Sequence, residues 1–225
     1  MINLLTPLFW MAAALAVIDW YAVWRGWRMV EVVAKTATML ALLGWLAQVG
    51  WGHAGLGWYA AALVFSLLGD IALLLSDRWF LAGLVSFFIA HLGYVVAFNQ
   101  TIPPISVWLF VWVLAVYAAA IVILRPVRAA LEADPHHRKM VIPVMLYGSV
   151  LALMTYSALI TPLRPDWGVA GWLLVVGGLL FMASDSLLAH TRFVRDFAHS
   201  RVWVHMTYHT AQILITLAAV WHVVG

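Results

Sequence analysis

The sequence predicts an all-α polytopic transmembrane helix bundle of about eight spans. Three observations predict it: only 9% of the residues are charged while 66% are hydrophobic, the mean hydropathy is +0.99, and long apolar runs alternate with short polar breaks. Soluble domains are about a quarter charged, and no soluble core could hide this much apolar surface. Lipid as the solvent resolves the excess, because a run of roughly 20 apolar residues crosses the hydrocarbon as a helix that satisfies its own backbone hydrogen bonds.

The runs fall near 4–24, 31–50, 56–75, 79–98, 105–124, 140–160, 169–189 and 203–223, and together they read as a single transmembrane domain over 1–225. The first follows Met1–Leu4 with no preceding basic residue and no cleavage signature, so it reads as a retained span and not a signal peptide. Trp20 and Trp24 mark its far end, Trp51 and Trp58 bracket the break between the second and third, and Trp79 and Trp108 open the fourth and fifth. Trp167 precedes the seventh, and Trp203 and Trp221 frame the eighth. Such rings are expected at headgroup level. The longest polar stretch, 125–139, reads as the loop between the fifth and sixth spans.

Charge orients the bundle. The loops before spans two, four, six and eight hold ten basic residues (Arg25, Arg28, Arg78, Arg125, Arg128, Arg138, Lys139, Arg192, Arg195 and Arg201), against Arg164 alone in the other loops. The positive-inside rule assigns those loops to the cytoplasm and both termini to the outside. Orientation thus explains the net charge of +3, and a nucleic-acid partner is not implied. The chain has no cysteine, which excludes disulfides, thiol nucleophiles and cysteine metal sites. Asp70 precedes Leu73 and Leu74 in span three much as Asp185 precedes Leu187 and Leu188 in span seven, a weak sign of a four-helix repeat.

Ionisable groups at membrane depth are costly and demand a partner or a function. At ~1.5 Å per residue, Asp70 and Asp185 sit roughly 8 Å inside the cytoplasmic ends of their spans. Lys35 and His209 fall at a similar level, with Asp19 nearby, so these groups share one layer facing a cytoplasmic vestibule. Asp19 is expected to snorkel to the interface. Two carboxylates on separate helices exceed what helix packing requires, and Asp70 and Asp185 are therefore the expected chemical centre. On span four, Gly83, Phe87 and His91 recur every four residues, followed by Tyr94. His205 and His209 share a face of span eight at a spacing that suits a metal, with Tyr208 and Gln212 beside them.

Five motifs in order carry a resemblance: Lys35, Thr38 and Met39; Phe65 to Asp70; Gly83, Phe87, His91 and Tyr94; Leu180 to Ala189 around Asp185; and Thr207, Tyr208, Ala211 and Gln212. Together they resemble the lysoplasmalogenase family of small multi-span membrane proteins. The chain has Thr36 where the family often has proline and His209 where it often has a second tyrosine. The resemblance implies hydrolysis of the vinyl ether of a lysoplasmalogen to a fatty aldehyde and a glycerophospho-head group. It also implies that Asp70 and Asp185 form the active site; a lysophospholipid substrate and membrane lipids are the expected partners, and no cofactor or metal is expected.

Two carboxylates suit that chemistry. A proton delivered to carbon leaves an oxocarbenium ion that water captures, and the hemiacetal collapses to aldehyde and alcohol. One desolvated carboxyl serves as acid, and an ionised partner stabilises the cation and orients water, as in glycoside hydrolysis. Lys35 is expected to hold one carboxylate ionised. Lys35, His91, Tyr94, Tyr208 and Gln212 are the expected substrate-side groups; orientation alone accounts for Arg192 and Arg195, with phosphate contact as the second reading. Two alternatives use the same residues: a zinc-dependent lipid hydrolase built on His91, His205, His209 and an aspartate, and a proton-coupled transporter carrying protons on the two aspartates. Short loops point to a bacterial inner membrane, and protein partners are not legible.

Overall fold

The computed structural model describes residues 5–50 and 52–225; the first four residues of the chain and Trp51 lie outside the described residues. Eight helices account for most of what is described: α1 (Pro7–Arg25), α2 (Arg28–Gly50), α3 (Gly57–Leu75), α4 (Phe80–Phe98), α5 (Val107–Ala133), α6 (Val141–Leu159), α7 (Gly168–Phe193) and α8 (Ser200–Val224). The stretches carrying α1 to α7 are each long and apolar enough to cross a membrane. Helix α8 matches them in length, at 25 residues, but Arg201, His205, His209 and Gln212 make it more polar. Its polar groups turn inward: His205, Tyr208, His209 and Gln212 are all buried.

Neighbouring helices close a ring in the order α1, α2, α3, α4, α6, α7, α8 and back to α1, with α8 also reaching α2 and α3. Helix α5 stays outside the ring, against α6 and α7. It buries only Val116, Ala120, Val127 and Leu131 along 27 residues. A helix this apolar needs no protein cover in lipid, which is as favourable a solvent for its leucines and valines as a protein core.

Helix α5 also corrects an expectation. The stretch from Arg125 is not loop: the helix continues through Arg125, Pro126 and Arg128 to Ala133, leaving a short turn before α6. The Arg128–Glu132 pair, 2.7 Å apart at i,i+4, supports the extension, and at this level the carbonyl freed by Pro126 can be solvated by headgroups and water.

Basic residues gather at one end of the bundle, tied across helices. Arg28 donates to the Leu74 carbonyl (2.8 Å), Arg192 pairs with Asp77 (2.9 Å) and Arg201 with Glu31 (2.7 Å). At the opposite end Arg164 is buried, donating to the Thr101 carbonyl and to Asn99 Oδ1, both at 2.9 Å. Trp167 departs from the interface role expected of it: it is buried and stacked on His222 with ring centroids 4.0 Å apart. Trp24, Trp58, Trp79, Trp108, Trp203 and Trp221 do remain exposed near helix ends.

The α3–α4 seam sets the functional region. A Cβ on Gly69 would lie 2.6 Å from the Phe87 ring, and one on Gly83 would lie 2.9 Å from Leu73. Small residues thus let the two backbones approach while a large side chain from each fills the gap.

Candidate functional site

Three polar clusters lie inside the bundle, their carboxylates in the half nearest the basic end. The first is built on α2, α3 and α8. Lys35 Nζ lies 2.9 Å from Asp70 Oδ1, and the Tyr208 hydroxyl donates to Asp70 Oδ2 at 2.6 Å. The ammonium also stands 5.2 Å over the Tyr208 ring, where the ring quadrupole attracts it. Gln212 Nε2 donates to the Tyr208 hydroxyl (3.4 Å), and the Tyr94 hydroxyl donates to Gln212 Oε1 (2.5 Å). Asp70, Tyr94 and Gln212 have no exposed surface. A lone carboxylate there would be strongly unfavourable; the lysine one helix away compensates it.

The second cluster joins α4, α6 and α7. Asp185 Oδ2 accepts a hydrogen bond from the Tyr147 hydroxyl and lies 3.2 Å from His91 Nε2. His91 Nε2 is in turn 2.9 Å from the Tyr147 oxygen. Asp185 is the more accessible carboxylate, its side chain 10% exposed against 1% for Asp70. It has no lysine or arginine partner among the described residues. Tyr147 was not singled out by sequence; its signal was its position, a hydroxyl two turns into α6 from the basic end.

His91 and Tyr94, grouped on one helix by spacing, therefore serve different clusters. Phe181 touches both: its ring centroid is 4.8 Å from that of His91 and 5.6 Å from that of Tyr208. Phe87 packs edge-on against Tyr208 at 5.9 Å. The two aspartates thus lie in one region with aromatic rings between their networks, and they share no hydrogen-bond partner among the described residues.

The third cluster corrects the expectation for Asp19. It does not snorkel: it is fully buried, 2.7 Å from His205 Nδ1 and 3.5 Å from His209 Nδ1. Packing of α8 across α1 covers it, with Trp20 Nε1 donating to the His205 carbonyl (3.2 Å). His205 and His209 therefore face a carboxylate on α1, while His91 belongs with Asp185. Among the described residues no three His, Asp or Glu side chains are arranged to hold a metal ion.

Two openings reach these groups. At the basic end, a polar mouth of about 380 Å³ between α2, α3, α7 and α8 is lined by Arg28, Glu31, Lys35, Thr191, Arg201 and His205, with Leu73 and Leu188 on its wall. Glu31 is buried and holds both Arg28 Nη1 (2.6 Å) and Arg201 Nη2 (2.7 Å). Leu73 and Leu188 are also the wall of a narrow apolar cleft of about 60 Å³ between α3, α4, α5, α6 and α7, in which Asp185, Tyr147 and Ser186 are the polar groups. The mouth thus presents three cations and one carboxylate, the cleft one carboxylate and no lysine or arginine. Arg192 is engaged by Asp77 and the Phe80 ring (4.0 Å), which agrees with a role outside phosphate binding. In the sequence, loop position alone accounts for Arg28 and Arg201, and nothing marks Glu31, at the start of span two, as their partner.

Comparison with known proteins shows the family. The YhhN family pattern matches residues 30–219. Human lysoplasmalogenase TMEM86B is 35% identical over 189 residues, covering 83% of this chain and 74% of its own; the mouse protein of that name is 32% identical over 191 residues, covering 84% and 75%. A lysoplasmalogenase of Mycobacterium tuberculosis is 30% identical over 169 residues, covering 71% of this chain and 59% of its own. No solved structure matches the chain. A match that runs from the start of α2 well into α8, with relatives at this level over most of the length, makes this chain a member of the YhhN family.

Proposed function

We propose that this integral membrane enzyme hydrolyses the vinyl ether of lysoplasmalogens, releasing a fatty aldehyde and a glycerophospho-head group. The relatives named lysoplasmalogenase support the reaction class. The observation that carries it to particular residues is the junction at Leu73 and Leu188 of a cationic mouth with an apolar cleft containing Asp185. A lipid with one tail and one phosphate has the same division of polarity, and its vinyl ether lies where the two parts meet.

In this reading the phosphate lies in the mouth against Arg28, Lys35 and Arg201, and the alkenyl chain enters the cleft. Asp185 is the acid. Its Oδ2 is occupied by Tyr147 and His91, which leaves Oδ1 to carry the proton to the vinyl carbon distal to the oxygen. The oxocarbenium ion so formed has its positive charge shared between oxygen and the adjacent carbon. Water adds to that carbon and gives up a proton to Asp185, and the resulting hemiacetal collapses to aldehyde and glycerol hydroxyl. His91, with one ring nitrogen on Asp185, steadies the carboxyl through both charge states.

Asp70 has a different part. Fully buried and ion-paired, it positions Lys35 and Tyr208 at the floor of the mouth, and its negative charge favours a cation forming nearby. Tyr94 and Gln212 brace Tyr208. The enzyme belongs on this reading to a bacterial cytoplasmic membrane, with the basic mouth facing the cytoplasm; the short loops and the collected arginines support that assignment.

The test is aldehyde release from a lysoplasmalogen by purified protein, compared with Asp185→Asn and Asp70→Asn. Loss of turnover in folded Asp185→Asn is the expected result; full activity in it would remove Asp185 from the mechanism. No aldehyde from wild type, together with solute movement in liposomes, would replace the enzyme reading with transport.

A further inference from the structure

A second apolar groove lies beyond the cleft at Asp185, at the opposite end of the same three helices. It holds about 500 Å³ between α5, α6 and α7 and is open on its lipid side. On each helix the stripe that lines the cleft continues into the groove within one turn: Ile123 follows Ala119 on α5, Thr155 follows Leu151 on α6, and Asp185 follows Met182 on α7. The two spaces share no lining residue but abut end to end along α5, α6 and α7, with less than one turn or about one turn between their linings on each helix. Trp172, at the far rim, stands 13 residues before Asp185 on α7, a rise of about 20 Å.

We infer that the two spaces form one track, the binding site for the substrate's alkenyl chain, with the chain terminus near Trp172 and the vinyl ether at Asp185. The inference rests on the function proposed above and adds to it the residues that select chain length. Three observations commit the groove to a single hydrocarbon chain. It begins at Met182, one turn of α7 from Asp185, the one carboxylate among the described residues that line the cleft. From Asp185 to its far rim at Trp172 the distance is about 20 Å, somewhat more than one ~15 Å leaflet of a ~30 Å hydrocarbon core and within the reach of an extended lipid chain. Its floor and walls are apolar apart from Thr155, whose hydroxyl is already spent on the Leu151 carbonyl at 2.9 Å. Small side chains at Ala115 and Ala119 leave the space that the chain would fill. Helix α5, bound to the ring by few buried residues, is the wall that can shift to admit it.

The geometry ranks two obstructions. Ala119→Trp blocks the track beside the cleft, and Ala115→Trp blocks it one turn, about 6 Å or five methylenes, further out. With a series of lysoplasmalogens differing only in chain length, the long-to-short ratio of kcat/KM is expected to fall at least about tenfold in Ala119→Trp. In Ala115→Trp the cut-off is expected at chains longer by about five methylenes. Ala118→Trp, on the exposed face of α5, is expected to leave the profile as in wild type. An unchanged profile in folded Ala119→Trp and Ala115→Trp, or an equal loss at every chain length, overturns the inference.

A second measurement needs no variant. A lysophospholipid with a photoreactive diazirine at its chain terminus is expected to label the 155–175 region of wild-type protein and the facing part of α5. Labelling spread evenly over the lipid-facing surface would mean that the groove holds bulk lipid only and would also overturn the inference. Failure of the reaction itself is separable, because a protein that releases no aldehyde but is labelled at 155–175 retains the track and loses the proposed chemistry.

Discussion

The ammonium of Lys35 lies 2.9 Å from Oδ1 of Asp70, with both side chains almost wholly withdrawn from the surface. Two helices are thereby joined by an ion pair within a bundle whose outer face is apolar. Removing one partner leaves the other charge buried and unpaired, which costs more than the pair itself contributes.

Lys35→Met is therefore expected to destabilise the protein by about 3–5 kcal/mol. Thermal unfolding in detergent measures it. The double variant Lys35→Met with Asp70→Asn is expected to recover most of the loss, because no charge is then stranded. Equal losses in the single and double variants would contradict a pair held mainly by mutual compensation.

Asp185→Asn is expected to lower kcat by about 10²–10⁴, the usual contribution of a positioned acid, while its unfolding temperature stays near that of wild type. The carboxyl lies at a cleft wall and has no cation to strand. Steady-state aldehyde release and a melting curve on the same preparation decide the point.

Tyr147→Phe removes the hydroxyl that bonds Asp185 Oδ2 but keeps the ring beside His91, with centroids 5.3 Å apart. A fall in kcat of about tenfold with little change in KM is expected, since the hydroxyl orients the acid and is not required for lipid binding. A change confined to KM would instead make Tyr147 a binding residue.

Arg201→Ala takes one of three cations from the mouth. KM for a lysoplasmalogen is expected to rise several-fold at low salt and less at high salt, as screening weakens what remains. An alkenylglycerol lacking the phosphate is expected to show no such rise. A rise shared by both substrates would point to a structural role for the Arg201–Glu31 pair.

Gly69→Ala is expected to cost about 1–3 kcal/mol, because the added carbon meets the Phe87 ring at 2.6 Å and that ring is packed between Gly69 and Tyr208. The same displacement would widen or close the cleft that Phe87 lines, so a change in KM should accompany the loss in unfolding temperature.

Much of the architecture was legible in the sequence, because in lipid the backbone must satisfy itself and each apolar run of the right length becomes a helix. The cost of a charge at membrane depth likewise singled out Asp70, Asp185 and Lys35. That logic ranks residues by burial and cannot say who meets whom. Nothing in span one discloses that α8 lies across Asp19 and buries it. The charges of Arg125 and Arg128 end a span but do not end helix α5, which runs on to Ala133. Only the tertiary structure decided that His91 pairs with Asp185 while Tyr94 joins Gln212, that Tyr147 from α6 completes the Asp185 cluster, and that α5 stands aside from the ring. Partners across a bundle depend on the rotation and order of packed helices, which follow from close contacts such as Gly69 against Phe87 and Gly83 against Leu73. Those contacts are long-range facts of shape, and no local pattern of residues encodes them.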